Sequence, residues 1–251
     1  VPEVVVTKDA EPSAHRLPQA VLRPVRDGNA FEATVEQLAT SVRLGVFVAG
    51  QQLPPERELA ETLGVSRTTL REAIAALREA GMVQTRRGRG GGTVVTYRAP
   101  AQGEASGRDL AMTPEQMRDA LDFRRVVEPG AAALAASRQL SAEQRSWLVA
   151  CRQEVERAGD VAHHRQADSR LHLAIATLSG SDLLVSAVTQ VQGMLHDMLG
   201  AIPVLAPNIG HSNEQHRAVV DAVLGGDPDG ASLSMQEHCD ATSALLRGLI
   251  A

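Results

Sequence analysis

The sequence predicts a mainly α fold in two parts: an N-terminal winged helix-turn-helix of three helices plus a two-stranded β-wing, joined to an all-α helical bundle. Three observations carry this expectation. Residues 54–92 hold two short helical patterns separated by Gly64, then a glycine- and arginine-rich hairpin. Beyond residue 113 nearly everything has helical periodicity and no stretch alternates as a strand. The chain is 43% hydrophobic but only 2% aromatic, so its core must be built from Ala, Leu, Val and Ile, which favours close-packed helices.

Residues 1–28 contain four prolines and no sustained periodicity, the pattern of a flexible arm. A first helix is expected over Phe31–Val46, with Phe31, Val35, Leu38 and Val42 on one stripe. Pro55 suits the first position of the next helix, because a helix start cannot pair that N–H anyway. Gly64 permits a tight reversal, Val65 plugs the angle between helices, and Ser66 offers an oxygen to cap the helix that starts at Arg67. In that helix Leu70, Ile74 and Leu77 share a buried face, which leaves Arg67, Thr68 and Arg71 outside. Cations in a helix's first turns oppose its dipole, so an external anion is implied, and DNA phosphates or guanine edges are candidates. Val83–Thr85 and Thr93–Tyr97 are expected to pair as strands around an Arg/Gly tip.

Charge supports this placement once it is divided along the chain. The net charge of −5 splits into 0 for residues 1–30, +2 for 31–98 and −7 for 99–251, and Arg57–Arg98 alone carries eight basic against four acidic side chains. The local field over the reading elements is therefore positive. Cys151 and Cys239 are too few for a disulfide framework and fit a reducing compartment. No apolar run approaches the roughly 20 residues that span a bilayer. A cytoplasmic protein without membrane partners is expected.

At Leu53-Pro54-Pro55-Glu56-Arg57, Ser66–Ala73 and the Gly-Arg wing, residues 31–97 resemble the GntR family of winged-helix bacterial transcription regulators. The resemblance implies DNA contacts from Arg57, Arg67, Thr68 and Arg71, with Arg87 and Gly88 of the wing tip entering the minor groove. It places a DNA-binding domain at 29–98. Residues 99–112, rich in Ala, Gly, Pro, Ser and Gln, then form a linker, and residues 113–251 a second domain.

Helices of that domain are expected at about 114–138, 141–158, 160–179, 181–200, 210–225 and 228–250, with a capping box at Ser141–Gln144. Asp168 and His172 are four apart, on the face shared with Leu171, Ile175 and Leu178. His216 lines up with Val219, Val220 and Val223, and His238 with Ala241 and Leu245. Burying these polar groups without partners would cost several kcal/mol in total. A divalent cation held by three imidazoles and one carboxylate satisfies all four; zinc is expected foremost, and nickel, cobalt or manganese also suit the set. His163, His164, His196 and His211 are expected at the surface or at helix ends.

The order Asp168, His172, His216, His238, together with Arg124–Pro129, resembles the FCD ligand-binding domain of the FadR subfamily, in its metal-containing branch. Leu171 stands where an aromatic is common there, and Gly180-Ser181-Asp182 replaces the usual Gly-Asn. The resemblance implies a small carboxylate effector gripped by the Arg124 fork, against which stands a plain salt bridge from Arg124 to Glu128. Asn213, one turn before His216, is a second effector-binding candidate. A homodimer on a palindromic operator follows from the family, usually as a repressor. Two rivals are a regulator with a purely structural metal and a metal-dependent hydrolase. The hydrolase lacks a general base beside the ligands, so no enzyme is expected.

Overall fold

A computed structural model describes residues 16–25, 30–86, 91–98, 112–202 and 206–250. The elements run α1 (Arg16–Val21), α2 (Ala30–Arg43), α3 (Glu56–Leu63), α4 (Arg67–Glu79), β1 (Val83–Arg86), β2 (Gly92–Val95), α5 (Pro114–Ala136), α6 (Ala142–Arg157), α7 (Val161–Leu178), α8 (Asp182–Gly200), α9 (Ala206–Gly225) and α10 (Pro228–Ile250). The mainly α architecture with one two-stranded antiparallel sheet is the expected one.

In the N-terminal part, Leu38 and Val42 of α2, Leu59 and Leu63 of α3, and Leu70, Ile74 and Leu77 of α4 close over one core with Val83 and Val95 of the hairpin. Gly64 takes the left-handed conformation (φ 64°) that the reversal between α3 and α4 demands. The Ser66 hydroxyl then accepts from the Thr69 amide at 3.0 Å, capping α4. Pro55 sits one residue outside its expected place, as the extended residue before α3. β1 and β2 pair from Val83 opposite Val95 to Arg86 opposite Gly92. Residues 51–53 add to the β2 edge, where the Leu53 amide donates to the Thr93 carbonyl and the Val95 amide to the Gln51 carbonyl. β2 is shorter than expected because Thr96 and Tyr97 turn back to donate their amides to the Met82 carbonyl.

Residues 16–25 correct the flexible-arm expectation. Arg16–Val21 is helical, and Leu17 and Val21 are buried in the core of the C-terminal part, while Leu22 joins the N-terminal one. The prolines misled because they occupy permissive positions: Pro18 lies in a first turn, where its missing N–H costs nothing, and Pro24 follows the helix. The remainder of the arm, residues 1–15 and 26–28, and the linker residues 99–111 lie outside the described residues.

The C-terminal part is a bundle in which α10 packs on α5 and α9, α6 on α7, and α8 on α5 and α7. The expected capping box of Ser141 with Gln144 is formed, and a second one joins Thr113 with Gln116 at the start of α5. α9 starts four residues earlier than expected, at Ala206, since a proline in a first turn does not stop a helix. No helix among the described residues is long and apolar enough to cross a membrane.

Candidate functional site

The exposed arginine face of the N-terminal part follows from local sequence. Burial of Leu70, Ile74 and Leu77 forces Arg67, Thr68 and Arg71 of α4 to the surface, and Arg57 is exposed on α3. Two of these cations already have acidic neighbours: Arg71 Nε lies 2.7 Å from Glu56 Oε2, and Arg57 Nη1 lies 3.4 Å from Glu61 Oε1. Exposed pairs of this kind contribute little to stability, so a phosphate can displace them at small cost. Arg87 and Gly88 of the wing tip lie outside the described residues. Replacing Arg67 or Arg71 with Ala should weaken specific duplex binding by about 1–3 kcal/mol if the side chain reads a base edge. Competition between specific and random duplex in a gel-shift titration measures it, and unchanged binding by both variants would remove this face from the interface.

The second site lies inside the bundle. α7 carries Asp168 and His172, α9 carries His216 and α10 carries His238; the three imidazoles are 2–3% exposed. A nitrogen from each ring lies within 4.8 Å of the other two, and the ring centroids are 4.5–5.4 Å apart. Asp168 joins them from the next turn, with Oδ1 3.4 Å from His216 Nε2 and Oδ2 3.9 Å from His172 Nε2. The structure thus brings together all four residues picked from the sequence.

These four side chains could hold a cation between them. His172 Nε2 and both nitrogens of His216 are buried with no hydrogen-bond partner among the described residues, an arrangement that costs about 1–3 kcal/mol per group. The outward nitrogens face side-chain oxygens: His172 Nδ1 lies 2.7 Å from Glu128 Oε2, close but without hydrogen-bond geometry, and His238 Nδ1 lies 3.2 Å from Gln215 Oε1. A ligating imidazole is commonly oriented through its other nitrogen in this way. Glu128 and Gln215 are the residues that the sequence alone missed in this role. The spacing of Arg124 and Glu128 suggested an ion pair, and nothing local showed that the same carboxylate reaches α7.

Burial keeps the rings of His216 and His238 neutral, as ligands must be. It pushes His216 down to about 4, against the attraction of Asp168, and drives His238 well below the usual imidazole range, with His216 and Arg124 adding to the effect. Burial works against ionisation of Asp168 too, but the facing imidazoles of His216 and His172 hold its carboxyl below the usual range. The unfolded chain therefore binds more protons than the folded one between about pH 6.5 and 4. Stability of the metal-free protein is expected to fall as pH drops through that window. Urea titrations at pH 7 and pH 5 after chelation test this; equal midpoints would mean that the imidazoles are solvated.

A small cavity of about 80 Å³ opens beside the cluster, lined by Arg124, His164, Asp168, His238, Asn208 and Ser212 among others. Arg124 is 1% exposed; its Nε lies in ion-pair range of Glu128 Oε1 at 3.2 Å, and none of its three guanidinium nitrogens has a hydrogen-bond partner among the described residues. The ion pair and the open fork, alternatives in the sequence, are present together. Asn213 departs from its expectation: its buried Oδ1 lacks a partner, but the residue does not line the cavity, where Asn208 and Ser212 stand instead. His164 also departs, being half-buried with Nε2 unpartnered at the cavity wall. His196 is half-buried as well, and burial pushes it down to about 4, whereas His163 and His211 are exposed as expected.

A winged helix-turn-helix with an exposed arginine face, joined to a helical domain around a buried polar site, defines a DNA-binding regulator. Comparison with known proteins makes the class specific. The model of the gntR family of bacterial regulatory proteins matches residues 31–95, and that of the FCD domain matches residues 119–241. An Escherichia coli K12 protein named as an L-lactate dehydrogenase operon regulator is 34% identical over 209 residues, covering 76% of each chain. Rv0494 of Mycobacterium tuberculosis, named as an HTH-type transcriptional regulator, is 30% identical over 89% of this chain and 92% of its own. The HTH-type transcriptional repressor NanR of Escherichia coli is 28% identical over 95% of this chain and 91% of its own. The solved structure of Escherichia coli McbR/YncC shares the fold at a TM-score of 0.54 and 19% identity, over 88% of this chain and 99% of that one. The chain belongs to the GntR family of bacterial transcription regulators, with the FCD domain that marks the FadR subfamily. Its relatives are regulators and not enzymes.

Proposed function

We propose that the protein is a ligand-responsive repressor that binds a palindromic operator as a homodimer and senses a small carboxylate beside a divalent metal held by Asp168, His172, His216 and His238. The observation that carries this reading is the fully buried Arg124 fork, whose Nε, Nη1 and Nη2 have no hydrogen-bond partner among the described residues, opening on the same small cavity as Asp168 and His238. A buried guanidinium with free donors calls for a bidentate oxyanion. A bound divalent cation would supply a second positive centre for that anion. His164 Nε2 offers a further polar contact on the wall, and Leu195, Leu199 and Ile202 close the apolar side.

The cavity of about 80 Å³ favours an acid of few carbons over a sugar acid. The name of the Escherichia coli relative tied to an L-lactate dehydrogenase operon agrees with that size, and the NanR relatives support repression. Operator binding and effector binding must change one another by the same factor. A thermal-shift screen of C2–C6 hydroxy, keto and dicarboxylic acids on zinc-loaded protein should give hits confined to the short acids. An effector that binds yet leaves operator affinity unchanged over its binding range would defeat the regulatory reading and leave a metal that only stabilises the fold.

A further inference from the structure

The α7 helix carries two opposed polar pairs. Asp168 and His172 face the histidine site, while Gln166 and Arg170, offset by two residues and so by about 200° around the axis, face the N-terminal part. Both of the latter are only 9% exposed. Gln166 Nε2 donates to the carbonyls of Val42 at 3.2 Å and Arg43 at 3.3 Å. Arg170 Nη1 donates to the Gly45 carbonyl at 3.5 Å, and its Nε and Nη2 are held by Glu154 Oε2 at 3.2 and 2.9 Å. The last carbonyls of a helix have no partner within it, so the C-terminal domain completes the end of α2.

Gly45 makes this approach possible. It has φ 73°, and a Cβ there would lie 2.7 Å from Arg170 Nη1 and 2.9 Å from Gln166 Cβ. On one side of this junction, α2 packs against the recognition helix α4. On the other side the chain runs on to residues 50–53, which hydrogen-bond to β2 of the wing. A displacement of Gly45 is therefore transmitted to both DNA-reading elements.

We propose that Gln166 and Arg170 are positioning residues that couple the histidine site to the reading domain, clamping the end of α2 to α7 so that a shift of α7 at Asp168 and His172 moves α2 and the wing. This coupling rests on the metal-binding reading of the site, and it needs neither the effector nor the operator to be known. Asp168 and His172 are the input, Gly45 is the seat of the clamp, and α4 with β2 is the output.

Hydrogen–deuterium exchange of the full chain, chelated and then saturated with Zn²⁺, tests it, because local protection reports local stability. In the wild type, Zn²⁺ should slow exchange in residues 161–178 and also in 44–53. Gln166→Ala with Arg170→Ala should keep the first response and lose the second. Gly45→Ala should do the same by steric exclusion, without removing a polar group. Gly50→Ala is the control: it shares the positive φ (85°) but meets nothing within 4 Å, so its response at 44–53 should survive. A Zn²⁺ response at 161–178 without one at 44–53 in the wild type overturns the coupling alone, as does a full response at 44–53 in the double variant. No Zn²⁺ response at 161–178 overturns the metal reading and the coupling with it.

Discussion

Arg124→Ala is expected to abolish the thermal response to carboxylates and to destabilise the fold by about 3–5 kcal/mol, the range for removing one partner of a buried ion pair. The cost arises at Glu128. Burial opposes its ionisation, and Arg124, with His172 behind it, holds the carboxyl well below the usual range. Without the guanidinium a buried carboxylate is left with His172, Gln192 and the weakly donating Cys239 thiol beside it. Stability and sensing are separable, since Nε approaches Glu128 Oε1 at 3.2 Å whereas Nη1 and Nη2 have no hydrogen-bond partner among the described residues. Arg124→Met combined with Glu128→Gln should recover most of the stability, because an apolar replacement of a buried pair is often neutral. The Gln carbonyl can still accept from His172. That double variant should still ignore carboxylates. Urea midpoints and thermal shifts on the same samples decide it; a carboxylate response in the double variant would move the effector away from Arg124.

Much of the molecule was legible because its signals are local. Helix caps at Ser66 and Ser141 form as their spacing suggests, since a cap depends on residues three apart. The apolar stripe of α4 fixed which arginines are exposed for the same reason. That Asp168, His172, His216 and His238 come together was legible for a different reason: buried histidines on three helices have no individual justification, which points to a shared neighbourhood. Long-range partners stayed hidden. Glu128 under His172, Gln215 under His238, and Gln166 reaching the end of α2 join residues 23–124 positions apart, and no periodicity encodes such pairings. α1 was misread because proline content was weighed ahead of proline position, although Leu17 and Val21 are four apart and both buried.

Chelation is expected to lower the unfolding midpoint of the wild type, and zinc to restore it, by an amount set by mass action: about 4 kcal/mol when free metal is a thousandfold above its dissociation constant. Asp168→Ala and His216→Ala should lose the zinc-dependent part while keeping the fold, because the large core of the bundle, from Val127 to Cys239, does not depend on them. The sign of the metal-free difference between wild type and His216→Ala separates the rival explanations. If the histidines were ordinary core residues with satisfied hydrogen bonds, removing His216 would destabilise the metal-free protein. With both His216 nitrogens unpartnered and the ring pushed to a pKa of about 4, its removal should cost the metal-free protein little beyond the packing of one ring, and should relieve the acid sensitivity below pH 6.5. A His216→Ala protein that is less stable than chelated wild type at pH 5 would assign the ring a structural role. One that is as stable at pH 5, yet blind to zinc, would leave metal binding as the reason these imidazoles are buried together.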